Sequence, residues 1–273
     1  MFTSYFANIK NIVHPVLSIS GKSPDWYDGR EFKTLAPKRE FFLAYKAGEL
    51  DEAGYVREFK KQVLNNLDAK DVWSTIVRDY GRDVTLLCYE RGGEFCHRRL
   101  VADWLYRKLG RVLPELSNVY QGDAIESFDG DFASLSNFQI LKEHVVWHEF
   151  DYPTVEHAYQ AAKCKDSAYR RKIRCAATPG NAKRLGQKAE LRSDWEDVKI
   201  SVMTKLIERK YSDYELAMKL ACTGDAELIE GNWWGDSFWG RVTSKGFKKC
   251  VPYGENNLGK ILMKRRDILM YGE

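Results

Sequence analysis

Pro153-Thr154-Val155-Glu156-His157-Ala158-Tyr159-Gln160-Ala161-Ala162-Lys163 is the stretch whose reading decides the fold of the second half of the chain. At helical period, Val155, Ala158, Tyr159 and Ala162 form an apolar stripe, and Glu156, Gln160 and Lys163 stack on a polar stripe beside it. The spacing predicts a helix with a core face and a chemical face. Thr154 is the expected N-cap, which puts Glu156 in the first turn, where unpaired N–H groups and the dipole favour a carboxylate. First-turn Glu is common in purely structural helices, so its meaning depends on what converges on it.

Outward from this stretch, 273 residues are enough for two domains, each with its own core. Hydrophobic residues make up 44% and charged residues 30%, which excludes a disordered or low-complexity chain. A formal charge of +4 tolerates a phosphorylated or nucleic-acid ligand without requiring one. The N-terminus lacks a signal-peptide pattern and no segment has the length of a membrane span, so a cytoplasmic protein without membrane partners is expected. Six cysteines in such a chain read as reduced thiols, with no disulfides.

In the first half, Leu50 to Leu67 reads as one amphipathic helix with Tyr55, Val56, Phe59, Val63 and Leu67 on its buried side. Val84-Thr85-Leu86-Leu87-Cys88-Tyr89, a Gly92-Gly93 loop and a helix from Cys96-His97-Arg98 onward make a βα unit. Ligands gather at the carboxyl ends of strands in open α/β sheets, which brings Cys88, Glu90, Cys96, His97 and Arg98 to one crevice as a second candidate site. A thiol at a helix N-terminus beside His and Arg is a candidate nucleophile, and Arg98 a candidate anion ligand. The competing reading is structural: Cys88 packs, and Cys96-His97 caps the helix. Cys-x5-Arg is absent after either cysteine, which argues against a phosphatase loop. A His directly after a Cys is awkward for chelation with only Cys88 to help, so no metal or other cofactor is expected. Pro24-Asp25-Trp26-Tyr27, Leu86-Leu87-Cys88-Tyr89-Glu90 and Phe95-Cys96-His97-Arg98 resemble domain of unknown function four-eight-eight, over most of residues 10 to 110. That resemblance names a domain without naming a reaction.

Leu113 to Asp123 breaks the helical pattern with Pro, Asn and Gly and is the expected boundary, giving modules 1–120 and 124–273. Beyond it, Asn137 either reads a base edge or closes a turn. Val145 to Phe150 reads as a strand, Thr178-Pro179 opens a helix, and Trp195, Val198, Val202 and Leu206 keep helical spacing. The Arg170 to Arg174 run reads first as a solvated face. Glu230-Gly231-Asn232-Trp233-Trp234-Gly235-Asp236-Ser237-Phe238-Trp239-Gly240 is dense in aromatics, which form a lid over core or stack on a flat ligand. An indole-walled Asp236 suits general acid work. Gly254 to Lys260 opens a helix whose N-terminus can seat a phosphate. Two carboxylates, an aromatic stack and an anion site together fit cleavage of an N-glycosidic bond, with Glu156 and Asp236 catalytic.

Ser136-Asn137-Phe138, the Thr154 to Lys163 helix, Arg192-Ser193-Asp194-Trp195, Asp236 to Gly240 and Asn257-Leu258-Gly259-Lys260 resemble the NADAR or YbiA-like superfamily over residues 125 to 270. The overall expectation is an α/β domain followed by a mainly helical α+β NADAR/YbiA-like domain. The resemblance implies Glu156, Asp236 and Trp239 at the centre, with Asn137, Phe138, His157, Gln160, Lys163, Trp195, Gly240, Asn257 and Gly259 binding substrate. It also implies an ADP-ribosyl or phosphoribosyl ligand. Members either remove ADP-ribose from modified guanine, with DNA or RNA as partner, or act on a riboflavin-pathway ribosylaminopyrimidine phosphate; a non-catalytic sensor of NAD-derived nucleotides is the other class. One departure from the family pattern, the insertion from Arg241 to Tyr253, is expected to reshape substrate choice.

Overall fold

The structure is a computed structural model that describes residues 1–242 and 253–272. Most of the Arg241 to Tyr253 insertion, residues 243–252, lies outside the described residues. Two compact units divide the chain: Met1–Val119 with the C-terminal residues from Asp267 on, and Tyr120–Arg266. The second unit therefore ends earlier than the expected 124–273 module. In the first unit Arg111 Nη1 donates to the Ile268 carbonyl at 2.7 Å and Val112 N–H to that of Leu269 at 3.0 Å.

In the first unit, β1 (Phe2–Tyr5), β2 (Val16–Ser18), β3 (Arg30–Glu31) and β4 (Thr85–Cys88) form a parallel sheet in the order β1-β4-β2-β3. β4 is central, with Leu86 opposite Thr3 on one side and Leu17 on the other, and all of its residues are buried. A parallel strand covered on both faces gives a continuous run rather than alternation, which is how Val84 to Cys88 reads. Helices α1 (Arg39–Lys46), α2 (Glu52–Gln62) and α3 (Ala69–Tyr80) precede β4, and α4 (His97–Leu109) follows it. Asp51 caps α2 by accepting from Gly54 N–H at 2.7 Å. The single helix expected from Leu50 to Leu67 is broken: Val63 leaves helical geometry, and Leu64–Asn66 forms a 3-10 turn that keeps both Val63 and Leu64 buried. Leu17, Ile19, Phe59, Ile76, Leu86, Val101 and Leu105 build the core between sheet and helices.

In the second unit, β5 (Ala124–Ile125), β6 (Val145–Trp147) and β7 (Phe150–Tyr152) precede the helices α5 (Val155–Ala162), α6 (Ser167–Arg174), α7 (Pro179–Gly186), α8 (Trp195–Lys210) and α9 (Tyr214–Ala221). Then follow β8 (Glu227–Leu228), β9 (Gly231–Asn232), β10 (Arg241–Val242) and α10 (Asn257–Tyr271), the last counted with this unit as far as Arg266. β5 pairs with β8 and β9 with β10, both in parallel. The expected strand Val145 to Phe150 is an antiparallel hairpin of β6 and β7, turning at His148, whose φ is 51°. α5 packs among α6, α7, α8 and the hairpin, and every residue of it is buried. Its polar stripe is thus enclosed along with its apolar one. In α6, Arg170 Nε donates to the Cys164 carbonyl and Arg174 pairs with Asp151, while Arg171 and Lys172 are exposed. No helix among the described residues is long and apolar enough to cross a membrane.

Candidate active site

α5 begins as its sequence requires. Thr154 is extended, and its Oγ1 accepts from His157 N–H at 3.1 Å, which leaves Glu156 in the first turn. Glu156 N–H donates to the Asn137 carbonyl at 3.0 Å, which ties the Ser136–Phe138 segment to the helix start. One turn on, Gln160 Nε2 donates to Glu156 Oε1 at 2.8 Å, so the two polar residues of the stripe meet in the buried interior. Burial raises the Glu156 carboxyl above its ordinary range, opposed by the Gln160 hydrogen bond and by the charges of Lys183 and Lys163; Asp236 raises it further. Lys163 itself is pushed down by desolvation.

The second carboxylate arrives from a loop held by reciprocal amide bonds. Asp236 N–H donates to Asn232 Oδ1 at 2.9 Å, and Asn232 Nδ2 donates back to the Asp236 carbonyl at 2.8 Å. Asp236 Oδ1 then accepts from the N–H groups of Phe238 at 3.2 Å and Trp239 at 2.9 Å, an Asx turn that fixes the carboxylate. Trp239 packs edge-on to Tyr159 of α5, with ring centroids 5.4 Å apart, and Trp195 meets the same tyrosine at 5.1 Å. Trp233 and Trp234 contact each other and stay exposed, at 61% and 52%; Lys183 Nζ lies 5.3 Å from the Trp234 ring. Exposed indoles beside an ammonium make a stacking surface.

Other residues assigned from the sequence have different surroundings. His157 is buried with both ring nitrogens engaged, Nδ1 with Thr154 Oγ1 at 2.8 Å and Nε2 with the Ala176 carbonyl at 3.1 Å. A carbonyl partner makes Nε2 the protonated nitrogen, and burial lowers the pKa, so His157 braces the helix as a neutral ring. Phe138 is exposed. Asn257 Nδ2 donates to the Phe238 carbonyl and to Glu255, and a Cβ on Gly259 would stand 2.0 Å from the Leu228 carbonyl. A Cβ on Gly240 would stand 2.0 Å from the Glu230 carbonyl. Both glycines answer close backbone approach in the wall of the site, where the sequence suggested ligand contact. By contrast Asn137 Oδ1 and Gln160 Oε1 are buried acceptors with no hydrogen-bond partner among the described residues, and Gln160 Oε1 lies against Gly186 of α7.

Three residues in this cluster escaped the sequence reading. Glu230 is raised to about 7 by burial and by Asp236, with Lys183, Glu156 and Lys210 also acting on it. Its N–H donates to Asn256 Oδ1 at 3.1 Å while Asn256 Nδ2 donates to the Leu228 carbonyl at 2.8 Å. Lys210 is buried and pushed down to about 7 by desolvation, and its ammonium donates to the carbonyls of Leu135 at 3.2 Å and Ser136 at 2.8 Å. Lys183, on α7, acts on Glu156, Glu230 and Lys163 alike. The available signal for Lys210 was its position: it continues the Met203, Ile207 spacing of a buried helix face.

The first unit gathers its own group of reactive atoms. Cys96 is the N-cap of α4, and its side chain takes no part in capping. His97 Nδ1 lies 3.6 Å from Cys88 Sγ and 4.0 Å from Cys96 Sγ, and its Nε2 is bonded to the Ile19 carbonyl at 2.9 Å. Cys88 Sγ lies 3.4 Å from Glu90 Oε2. The Cys96 thiol is held far below its ordinary range by the Cys88 hydrogen bond and by His97 and Arg98, and Cys88 is raised. Arg98 corrects the anion-ligand expectation: it is fully buried, pairs with Glu115 at 3.1 Å and donates to the carbonyls of Glu90 at 2.6 Å and Arg91 at 3.1 Å. Its fork is spent on holding the loop that carries Glu90. A cavity of about 740 Å³ opens beside Cys88, Glu90, Cys96 and His97, walled by Tyr45, Tyr55 and Phe95.

Residues 126–270 match the model of the NADAR domain, and residues 8–109 that of the Active DUF488-N3 subclade. The chain is 36% identical to N-glycosidase YbiA of Escherichia coli over 143 residues, 51% of this chain and 81% of that protein. It is 37% identical to N-glycosidase Npun_R5314 of Nostoc punctiforme over 144 residues, 50% of this chain and 84% of that one. A riboflavin biosynthesis protein of Vibrio vulnificus is 35% identical over 121 residues, 43% of this chain and 31% of that protein. Carboxyl groups raised by burial beside ammoniums, on a match of this extent, define a glycosidic-bond hydrolase. The chain belongs to the NADAR domain family, with a second domain ahead of the hydrolase unit.

Proposed function

We propose that this hydrolase removes ADP-ribose from modified guanine in nucleic acid, by cleaving the bond between the ribose anomeric carbon and the base nitrogen. The observation that carries the reading is that the buried Glu156 and the half-buried Glu230 both have carboxyls raised by burial and both feel the charge of the half-buried Asp236. Carboxyls whose environments push their pKa values apart are suited to separate acid and base roles. Glu156, whose carboxyl burial pushes above its ordinary range, gives its proton to the departing nitrogen as the C–N bond breaks. Asp236, fixed by two backbone N–H groups, faces the positive charge that develops on the ribose. Glu230, near neutrality in its pKa, accepts the proton of the attacking water.

Exposure of Trp233 and Trp234 next to Lys183 favours a ligand that extends outward, as a base in a nucleic-acid strand does. A second reading, hydrolysis of a riboflavin-pathway ribosylaminopyrimidine phosphate, draws on the name of the Vibrio relative. Incubation with ADP-ribosylated DNA, and separately with the ribosylaminopyrimidine phosphate, distinguishes them by the product released. Release of neither, with ADP-ribose bound in calorimetry, would leave a nucleotide sensor in place of an enzyme.

A further inference from the structure

The thiols and imidazole of the first unit remain unused by the hydrolase chemistry, and their geometry resembles a coordination sphere. With bonds of about 2.3 Å to sulfur and 2.0–2.1 Å to nitrogen, tetrahedral zinc places its sulfur and nitrogen ligands about 3.6 Å apart. His97 Nδ1 lies 3.6 Å from Cys88 Sγ and 4.0 Å from Cys96 Sγ, and one ligand atom from each of the three residues falls within 4.8 Å of the others. Nε2 of His97 is committed to the Ile19 carbonyl at 2.9 Å, which leaves the lone pair on Nδ1 aimed at both sulfurs. Metal-bound histidines are oriented by such a second bond.

Neighbouring ligands in sequence are workable here because Cys96 caps α4 in an extended conformation, φ −156° and ψ 143°, while His97 is already helical. The change of backbone direction turns Sγ of one residue back beside Nδ1 of the next. Cys88 comes from the end of β4, so strand and helix deliver the set as a strand-to-helix clamp. Arg98 fixes the intervening loop through the Glu90 and Arg91 carbonyls.

We propose that Cys88, Cys96 and His97 bind one zinc-class divalent ion, with its fourth position open to the cavity of about 740 Å³. Three protein ligands plus an open position is the arrangement of catalytic rather than structural zinc. Glu90, 3.4 Å from Cys88 Sγ, stands beside that position as a proton acceptor for whatever occupies it.

The test is titration of the reduced, chelator-treated full chain with Co²⁺, followed by displacement with Zn²⁺. One equivalent is expected, with thiolate-to-cobalt charge-transfer absorption and the strong visible bands of a four-coordinate ion. Cys96→Ser should weaken binding by about 100-fold or more, whereas Cys175→Ser, at an exposed thiol, should leave it unchanged. Glu90→Gln should weaken binding by no more than about tenfold, and added imidazole should change the cobalt spectrum as it enters the open position. In the wild type, bound Zn²⁺ should slow alkylation of Cys88 and Cys96 by at least about tenfold in peptide mass spectrometry, a readout independent of whether variants fold. Absence of stoichiometric cobalt, or equal alkylation with and without Zn²⁺, would overturn the site. A loss in Glu90→Gln as large as that in Cys96→Ser would overturn the open position.

Discussion

Glu156 lies in the first turn of α5 behind its Thr154 cap, and Cys96 and His97 open α4 directly after the loop from β4. Both units thus put reactive atoms at a helix N-terminus that is enclosed by neighbouring elements. The donors differ. Around α5 the groups are oxygens and ammoniums: Glu156, Glu230, Asp236, Lys163 and Lys183. Around α4 they are two thiols and a ring nitrogen, with the buried cation, Arg98, tied to Glu115 and two carbonyls. The same backbone device presents oxygen acids in one place and soft donors in the other, and side-chain type decides which chemistry each is suited to.

The strongest way to break that comparison is to neutralise the oxygen cluster. Glu156→Gln is expected to reduce base release by about 10²- to 10⁴-fold with thermal stability unchanged or raised, and Asp236→Asn by about 10²- to 10³-fold. Full activity in either variant would remove that carboxyl from the chemistry. In the first unit, Arg98→Met strands Glu115 and frees the carbonyls of Glu90 and Arg91, so urea unfolding should show a loss of about 3–5 kcal/mol. A loss below about 1 kcal/mol would mean that the fork contributes little.

Gly259→Ala sharpens the contrast between packing and binding. Its Cβ meets the Leu228 carbonyl, and the expected cost is about 2–3 kcal/mol in the same assay, with substrate affinity changed only through the displaced wall. The smallest effect is a pH dependence. Between 4.5, the ordinary glutamate value, and about 7, the folded state binds the Glu230 proton that the unfolded chain has released. Stability therefore falls as pH rises through this window. Glu230→Gln should flatten that fall by roughly 1–2 kcal/mol, read from melting curves at pH 4.5 and pH 8. An unchanged slope would show that Glu230 is solvated.

α5 was legible because cap, stripe and first-turn acid all agree in a stretch of eleven residues. β4 was legible as an unbroken apolar run. The β6–β7 hairpin was not, since its turn falls at His148-Glu149, and a positive φ on a non-glycine residue leaves no Gly or Asn mark in the sequence. α3 carries readable signals, an Asp68 cap and Val72 and Ile76 on one face, and the sequence reading simply passed over it. Glu230 and Lys210 were illegible as site residues for a physical reason. Each gains its character from desolvation by segments distant in sequence, and Lys at the end of a helix is ordinarily a solvated partner of the dipole.

The Asn256 amide clasps the backbone on both sides of Ile229, and Gly259 lies against the same segment. During synthesis Glu156 therefore emerges from the ribosome a full hundred residues before the clasp that secures Glu230 beside it. A nascent chain therefore cannot close the proposed site until the start of α10 has been made.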